Sequence, residues 1–248
     1  MKQALHFKTV ILSDIHLGTE FCKAAEVLNF LEVAHYEKLI LNGDIIDGWS
    51  LQRKGGWSEA DSKVLNKIVA LIDNPSVEVV FIKGNHDEML EAVLNFPISK
   101  LNIIDEHIHK TPKGSYFVTH GDRFDSVSQN HKWLAVLGDI AYHFMMGINK
   151  VYNRYRSWRG QKYYSISKAA KALVKSIVSS ADQFEAKLIA AAKEANCVGI
   201  ICGHIHTEKD TYLEDIHYLN SGDWVESLTA IVENPEGALK LLHYSDLF

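Results

Sequence analysis

Five short apolar runs, each followed at once by a cluster of polar residues, restrict the possible folds of this 248-residue chain more than any other feature. The runs are rich in β-branched residues and predict buried strands at 7–12, 39–41, 77–82, 116–119 and 198–202. The polar clusters that follow them occupy 13–16, 42–44, 84–87, 120–122 and 203–206. Amphipathic helical patterns at 24–38 and 59–72 lie between the first three runs, as in α/β sheets. Ligands of open α/β sheets bind at the carboxyl ends of the strands, so we expect the functional site there.

The remainder of the chain carries two other patterns. Apolar residues recur at three- and four-residue steps from 166 to 196, which predicts one long helix with a break near Ser179 and Ser180. Farther along, 218–220, 228–232 and 239–244 are predicted to be the strands of a second sheet. No apolar stretch reaches the roughly 18 residues of a membrane helix, and the first residues lead into a strand and not into a signal peptide. We therefore expect a cytoplasmic protein.

The segment 141–181 differs in charge from the rest of the chain, which has a formal net charge of −5. It contains no Asp or Glu, and its eight Lys and Arg residues alternate with seven aromatic residues. We predict a main domain formed by 1–125 and 196–248, with 126–195 inserted as a helical cap that faces the substrate. Lys168 and Lys171 follow helical spacing and form a basic stripe that can bind an anion.

The polar clusters together contain a set of metal-binding side chains. The candidate ligands are Asp14, His16, Asp44, Asn85, His120, His204 and His206. Carboxylate, amide and imidazole groups bind borderline divalent metals, and Asp44 after Gly43 is suited to bridge two ions. Each motif alone is weak, because D-x-H, H-x-H, G-D and G-N sequences also occur in ordinary turns. Five such motifs, each placed after a predicted strand, indicate a dinuclear metal site.

These motifs, in this order, resemble the signature of the calcineurin-like metallophosphoesterases. The resemblance implies that Asp14, His16, Asp44 and His206 hold one metal and that Asp44, Asn85, His120 and His204 hold the other. It also implies an α/β fold, a four-layer sandwich of two mixed β-sheets flanked by helices, here with the inserted helical cap. We expect two divalent ions, with Mn²⁺ first and Fe, Zn, Co or Ni as alternatives.

A catalytic mechanism follows from such a centre. Two cations roughly 3.5–4 Å apart share a water and deprotonate it near neutral pH, which gives a bridging hydroxide as the nucleophile. His86 is expected to donate a proton to the leaving oxygen or a hydrogen bond to the phosphoryl group. Asp87 is expected to orient His86, with a turn residue as the alternative. Asp47 and Asp122 are expected to support the site or to form turns, and Asp122 is also a candidate for substrate contact.

The insertion resembles that of the UDP-2,3-diacylglucosamine hydrolase branch of the family, which cleaves a nucleotide diphospho-lipid in lipid A synthesis. That resemblance implies release of UMP and a lipid sugar phosphate, and it makes Arg156, Arg159, Lys168 and Lys171 candidates for substrate binding. The basic cap is also suited to peripheral contact with the inner membrane surface. This chain has His86 where that branch usually carries Arg.

Other functions of the same fold remain open at the sequence level. A general phosphodiesterase, phosphatase or nuclease is an alternative, although the acidic net charge makes nucleic acid an unexpected partner. Gly48 and Trp49 follow Asp47 where protein Ser/Thr phosphatases usually show Arg-Gly, which disfavours that group. A non-catalytic metal-binding scaffold is the alternative of a different class.

Overall fold

The computed structural model describes residues 5–53, 56–87, 103–125, 159 and 183–247. The strands are β1 (Leu5–Leu12), β2 (Ala34–Asn42), β3 (Glu78–Ile82), β4 (Ile103–Ile104), β5 (Glu106–Thr111), β6 (Gly114–Thr119), β7 (Gly199–Cys202), β8 (Lys209–Leu213), β9 (Ile216–Asn220), β10 (Thr229–Glu233) and β11 (Leu239–His243). The helices are α1 (Ala24–Val33), α2 (Gly48–Arg53), α3 (Glu59–Asp73) and a helix at 183–194, with short 3₁₀ turns at Asp122–Phe124 and Tyr244–Asp246.

The strands form two mixed sheets. The first has the order β11-β10-β1-β2-β3-β4, in which β1 to β4 run parallel. Strand β10 pairs antiparallel with β1, and β11 pairs antiparallel with β10. The second has the order β5-β6-β7-β9-β8, in which β6, β7 and β9 run parallel. Because parallel strands end at the same edge of a sheet, the polar clusters after β1, β2 and β3 meet at one edge, as do those after β6, β7 and β9.

The two faces of β1 bury different parts of the core. Val10 and Leu12 pack with side chains of α1 and α3, such as Val27 and Val64, on the outer face of the first sheet. Ile11 lies on the opposite face and packs between the sheets against residues of β6, β7 and β9, including Val118. This alternation follows from the two-residue period of a strand. The expected α/β fold with two mixed sheets is confirmed.

Helix α3 begins where its sequence predicts. Ser58 Oγ accepts a hydrogen bond from the Asp61 N–H at 3.0 Å, and the Asp61 carboxylate accepts one from the Ser58 N–H at 2.7 Å. This capping box satisfies backbone donors that the first turn of a helix leaves without partners.

Two expectations about secondary structure are wrong. The helix predicted over 24–38 ends at Val33, and β2 starts at Ala34, since residues of this segment pair in parallel with β1 from Leu5↔Ala34 onward. The last three predicted strands do not form a sheet of their own. Strand β9 joins β7 in the second sheet, whereas β10 and β11 extend the first sheet beside β1. Both errors concern pairing between distant segments, which local patterns do not specify.

The chain divides into two compact units, one of Met1–Gly121 with Leu188–Phe248 and one of Asp122–Lys187. The domain boundaries expected from the sequence, at 125/126 and 195/196, differ from these by four and eight residues. Most of the expected cap, including 126–158 and 160–182, lies outside the described residues. In the part of the chain that the structure describes, no helix is long and apolar enough to cross a membrane.

Candidate metal centre

The backbone is left-handed at most of the candidate ligands. The φ angles are 51° at Asp14, 55° at His16, 54° at Asp44, 71° at His204 and 51° at His206. Residues other than glycine rarely adopt such angles, so the surrounding structure must hold these residues in that conformation. The chain thus turns sharply at the end of β1, β2 and β7. Two residues separated by a single position, such as His204 and His206, can therefore both reach the site.

Backbone hydrogen bonds between the loops hold these turns. The Asp14 N–H donates to Gly43 O and the His16 N–H donates to Asp44 O, both at 3.0 Å. The Gly203 N–H donates to His120 O at 3.0 Å, which ties the loops after β6 and β7 in the same way. The ligand-bearing loops are therefore fixed to one another before any ion binds.

Two glycines of the motifs allow the loops to approach closely. A Cβ atom at Gly84 would collide with the backbone nitrogen and Oδ1 of Asp44. A Cβ atom at Gly203 would collide with Asp14 Oδ2 and Ser13 Oγ. The G-N and G-H pairs in the sequence thus have a steric cause, because only glycine leaves room for the neighbouring carboxylate.

The expected ligands converge in three overlapping groups. These are Asp14 with His16 and His206, His16 with Asp44 and His86, and Asp44 with His120 and His204; within each group the ligand atoms lie within 4.8 Å of one another. Asp44 is common to two groups and His16 is common to two, so the groups form one continuous site. The first group contains three of the four residues that the resemblance implies for one ion, without Asp44, and the third contains three of the four implied for the other, without Asn85. The division of the ligands between two ions stays a prediction.

The imidazole Nε2 atoms point toward the two carboxylates. His206 Nε2 lies 3.2 Å from Asp14 Oδ1, and His120 Nε2 lies 3.3 Å from Asp44 Oδ2. His16 Nε2 lies 3.2 Å from His206 Nε2, and it is 4.0 Å from Asp14 Oδ1 and 3.9 Å from Asp44 Oδ2. Nitrogen and oxygen donors thus face a common space, as the ligands of a divalent ion do.

The Nδ1 atoms of the same histidines face oxygen atoms on the other side. His120 Nδ1 is 2.9 Å from the backbone oxygen of Asn42. Asp47 lies between two rings, 3.4 Å from His16 Nδ1 and 3.2 Å from His86 Nδ1. At His120 the acceptor places the proton on Nδ1 and leaves the Nε2 lone pair for a metal, which is the usual arrangement of metal-binding histidines. The Asp47 contacts with His16 and His86 are charge contacts.

The electrostatics of the site favour anionic carboxylates among cationic or metal-bound partners. Burial acts to raise the pKa of Asp44, but the charges of His120, His86 and His16 and a hydrogen bond with His120 hold the pKa well below its usual range. The pKa of Asp14 is lowered in the same way, against its burial, by His120 and His206. Burial acts to lower the pKa of His206, but Asp14, Asp223 and Asp44 raise it to about 9.

Two buried oxygen atoms support the fit of this site to metal ions. Among the described residues, Asp14 Oδ1 and Asn85 Oδ1 are shielded from solvent and have no hydrogen-bond partner. Buried polar atoms without partners are rare in proteins, and a bound ion would satisfy both. The residues present therefore fit a dinuclear centre.

Asp87 does not have the surroundings expected of a residue that orients His86. Its Oδ2 accepts hydrogen bonds from the N–H groups of Asp44 at 2.6 Å and Gly84 at 3.0 Å, and its Oδ1 accepts from those of Ile45 at 3.1 Å and Ile46 at 3.0 Å. Burial and the charge of Asp44 outweigh these bonds and raise the pKa of Asp87 to about 6. The carboxylate beside His86 Nδ1 is Asp47, and Asp87 instead shapes the loop that presents Asp44.

His86 itself lies at the edge of the ligand groups. Its Nε2 is 3.9 Å from Asp44 Oδ2, and its ring is 4.2 Å from the indole of Trp49. The ring is partly exposed, whereas His120 is fully buried. A partly exposed imidazole held by Asp47 can exchange a proton with a bound molecule.

Sequence reasoning assigned no role to Asp223, which the structure places beside this site. Its Oδ2 lies 3.6 Å from His206 Nδ1. The signal was present in the sequence, because a Gly-Asp pair, Gly222 and Asp223, comes one residue after the end of β9, much as Gly43 and Asp44 come directly after β2. The short strand 218–220 was predicted, but the polar residues at its end were not counted with the others.

The expected substrate-binding residues belong to the other compact unit. Asp122 is partly buried in the 3₁₀ turn Asp122–Phe124, and Arg159 is exposed. Arg156, Lys168 and Lys171 lie outside the described residues. Their contact with substrate stays a prediction.

Residues 7–208 match the calcineurin-like phosphoesterase family, and the chain belongs to that family. Membership supports a metal-dependent phosphoester hydrolase, since the family typically binds a dinuclear metal centre. The family acts on small-molecule phosphoesters. No curated protein matches the sequence.

Several solved structures resemble this one. The phosphoesterase YfcE from E. coli has a TM-score of 0.46 and 14% identity, and the similarity covers 95% of this chain and 98% of that chain. An archaeal phosphodiesterase has a TM-score of 0.45 and 13% identity, with the same coverage of 95% and 98%. Vacuolar protein sorting 29 from Cryptosporidium parvum has a TM-score of 0.45 and 9% identity, with 94% of each chain covered. The family assignment rests on the sequence match.

Proposed function

We propose that this protein is a dinuclear metal-dependent phosphohydrolase whose ions are held by the seven expected ligands. In this proposal Asp14, His16, Asp44 and His206 hold one ion, and Asp44, Asn85, His120 and His204 hold the other. The observation that carries the proposal is the chain of shared ligands: Asp44 belongs to the group of His120 and His204 and to a group with His16, and His16 also belongs to the group of Asp14 and His206. A two-metal site needs a carboxylate with ligands of a different ion on each side, and a single-metal site does not.

The bound ions would activate a water as nucleophile and neutralise charge on the phosphoryl oxygens. The side chains of the protein supply the rest. The Asp47 carboxylate lies 3.2 Å from His86 Nδ1, and its negative charge stabilises the cationic imidazole, so that His86 Nε2 can give a proton to the leaving oxygen. The interloop hydrogen bonds hold the ligands in place, which lowers the reorganisation needed during the reaction.

For the substrate, we propose a nucleotide diphospho-lipid similar to UDP-2,3-diacylglucosamine, cleaved to UMP and a lipid sugar phosphate. Support comes from the sequence of 141–181, which combines basic residues for the phosphates with aromatic residues for apolar chains and lacks acidic residues. In this proposal 126–195 recognises the substrate, with Asp122, Arg156, Arg159, Lys168 and Lys171 in contact with it. The same basic unit would hold the protein at the inner membrane surface.

A second candidate is a general phosphodiesterase of the same family. His86 favours it, because the UDP-2,3-diacylglucosamine hydrolase branch usually has Arg at this position. The two candidates share the metal centre and differ only in what the second unit binds.

The test combines metal content with a substrate screen of the Mn²⁺-loaded protein. We expect about two ions per chain, release of UMP from UDP-2,3-diacylglucosamine, and loss of both metal and activity in Asp44→Ala. His86→Ala should keep its metal and lose about 10²- to 10⁴-fold in rate, as expected for a general acid. His35→Ala is the matched control, because His35 is exposed near the amino-terminal end of β2, whose carboxyl end leads to Asp44.

Each outcome separates one proposal from another. Hydrolysis of artificial diesters or oligonucleotides without cleavage of the lipid substrate would refute the nucleotide diphospho-lipid and favour the general phosphodiesterase. Wild-type protein that binds metal but hydrolyses none of the compounds would point to the non-catalytic scaffold. Protein that binds no ions would overturn the dinuclear centre itself.

A further inference from the structure

The segment 220–224, at the end of β9, connects the loops after β1 and β7, which carry Asp14, His16 and His206. Asn220 Nδ2 donates to Gly203 O at 3.0 Å, and the Ser221 N–H donates to Cys202 O at 2.9 Å. These bonds fix the segment to the chain that leads into His204 and His206.

The same segment is bonded to the loop after β1. The Trp224 N–H donates to Asp14 O at 3.0 Å, and the hydroxyl groups of Ser221 and Ser13 lie 2.6 Å apart. Trp224 is itself fully buried, with its ring 5.4 Å from that of Phe30. A segment anchored in the core thus holds Asp14 and the His206 loop together.

The two oxygens of Asp223 have separate partners. Oδ1 accepts hydrogen bonds from the N–H groups of Val225 at 2.8 Å, Glu226 at 2.6 Å and Ser227 at 3.2 Å. Oδ2 faces His206 Nδ1 at 3.6 Å, while His206 Nε2 faces Asp14 Oδ1 at 3.2 Å. The Asp223 side chain is buried, whereas that of His206 is 40% exposed, so solvent screens their attraction only from the His206 side.

We infer that Asp223 is a positioning residue, which fixes the Nδ1–H form of His206 and so presents Nε2 to the ion held by Asp14 and His16. The distance of 3.6 Å is a charge contact, longer than a hydrogen bond. Its effect is on the orientation and proton position of the ring, as carboxylates act on other metal-bound histidines. The inference rests on the proposed metal centre.

The variant Asp223→Asn separates the two oxygens. The asparagine Oδ1 can still accept the three backbone bonds of the turn, while an amide NH₂ would replace Oδ2 and place a donor against the Nδ1–H of His206. Mn²⁺ binding measured by titration calorimetry should be about 10- to 100-fold weaker for one of the two ions, the usual effect of losing such a partner.

A matched control exists in the second sheet. Asp210 also has one oxygen near a histidine, with Oδ1 2.9 Å from His217 Nε2, and its Oδ2 accepts from the backbone N–H of Leu241 at 3.1 Å. Asp210→Asn should leave both Mn²⁺ affinities unchanged. In a His206→Ala background, Asp223→Asn should cause no further loss, because the two residues act as one unit.

The role of Asp223 and the existence of the metal centre are tested by different outcomes. If wild-type protein binds two ions and Asp223→Asn binds them as tightly as Asp210→Asn does, only the role of Asp223 is refuted. If wild-type protein binds none, the metal centre is refuted. Should Asp223→Asn not fold, ¹⁵N NMR of the Zn²⁺-loaded wild type decides: coordination of His206 through Nε2 is expected, and coordination through Nδ1 would overturn the inference.

Discussion

Removal of the Asp87 carboxylate should destabilise the fold of the protein, because the carboxylate holds the loop that carries Asp44. Four backbone N–H groups, those of Gly84, Asp44, Ile45 and Ile46, donate to its two oxygens in a buried site. A buried donor that loses its acceptor costs about 1–3 kcal/mol. Four such penalties would total at least about 4 kcal/mol, but water can enter the space left by the shortened side chain and satisfy some of the donors. We therefore expect Asp87→Ala to lower the free energy of unfolding by about 3–5 kcal/mol.

Asp87→Asn gives an internal check on this magnitude. Its remaining oxygen can serve the N–H groups of Ile45 and Ile46, whereas the new NH₂ group would face the N–H groups of Asp44 and Gly84. We expect about half the loss of Asp87→Ala. Urea unfolding at neutral pH measures both, and thermal unfolding should show a decrease in Tm of about 2–4 °C per kcal/mol for a protein of this size.

The expected order of stability is wild type, then Asp87→Asn, then Asp87→Ala. If Asp87→Ala unfolds within about 1 °C of wild type, the four hydrogen bonds do not support the loop as argued. If both variants are stable but lose activity to the same extent as His86→Ala, Asp87 acts on His86 after all, and the reassignment to Asp47 is wrong.

Three further predictions concern other parts of the molecule. Gly203→Ala should weaken metal binding about tenfold or more, because its Cβ would displace Asp14 Oδ2, whereas Gly56→Ala, whose Cβ meets nothing within 4 Å, should change neither metal binding nor Tm by a measurable amount. Burial, together with the charge of Lys38, lowers the pKa of His107 from 6.5 to about 4, so the unfolded chain binds a proton there between pH 6.5 and 4 while the folded protein does not. Stability should therefore be complete above pH 6.5 and fall as the pH drops toward 4, by about 1 kcal/mol after allowance for the partial exposure of the ring, and His107→Gln should remove that part of the slope in urea unfolding. Removal of metal by EDTA should abolish hydrolysis and lower Tm, and Mn²⁺ at about 100 times its Kd should restore about 2.7 kcal/mol of stability; a Tm that does not respond to Mn²⁺ would contradict a site that is incomplete without it.

The amino-acid sequence by itself determined the local parts of this protein. The strand before Asp14 and the helix from Glu59 depend on alternation, on helical spacing and on a capping box formed by residues three apart. The family motifs also depend on adjacent residues, because Gly84 and Gly203 must each stand beside a ligand for the loops to fit. Such features can be predicted because their causes lie within a few residues of one another.

The tertiary structure decided which distant segments meet. Residues 34–38 follow a helical pattern yet form part of a strand, because β1 offers them a hydrogen-bonded neighbour. Strands β10 and β11 join the first sheet for the same reason. The supporting carboxylates Asp47, Asp87 and Asp223 could not be ranked from sequence, since their tasks depend on which N–H or imidazole comes within about 3 to 4 Å of each oxygen. Contacts such as that of Asp14 with His206 join residues almost 200 positions apart, and only the folded chain brings them together.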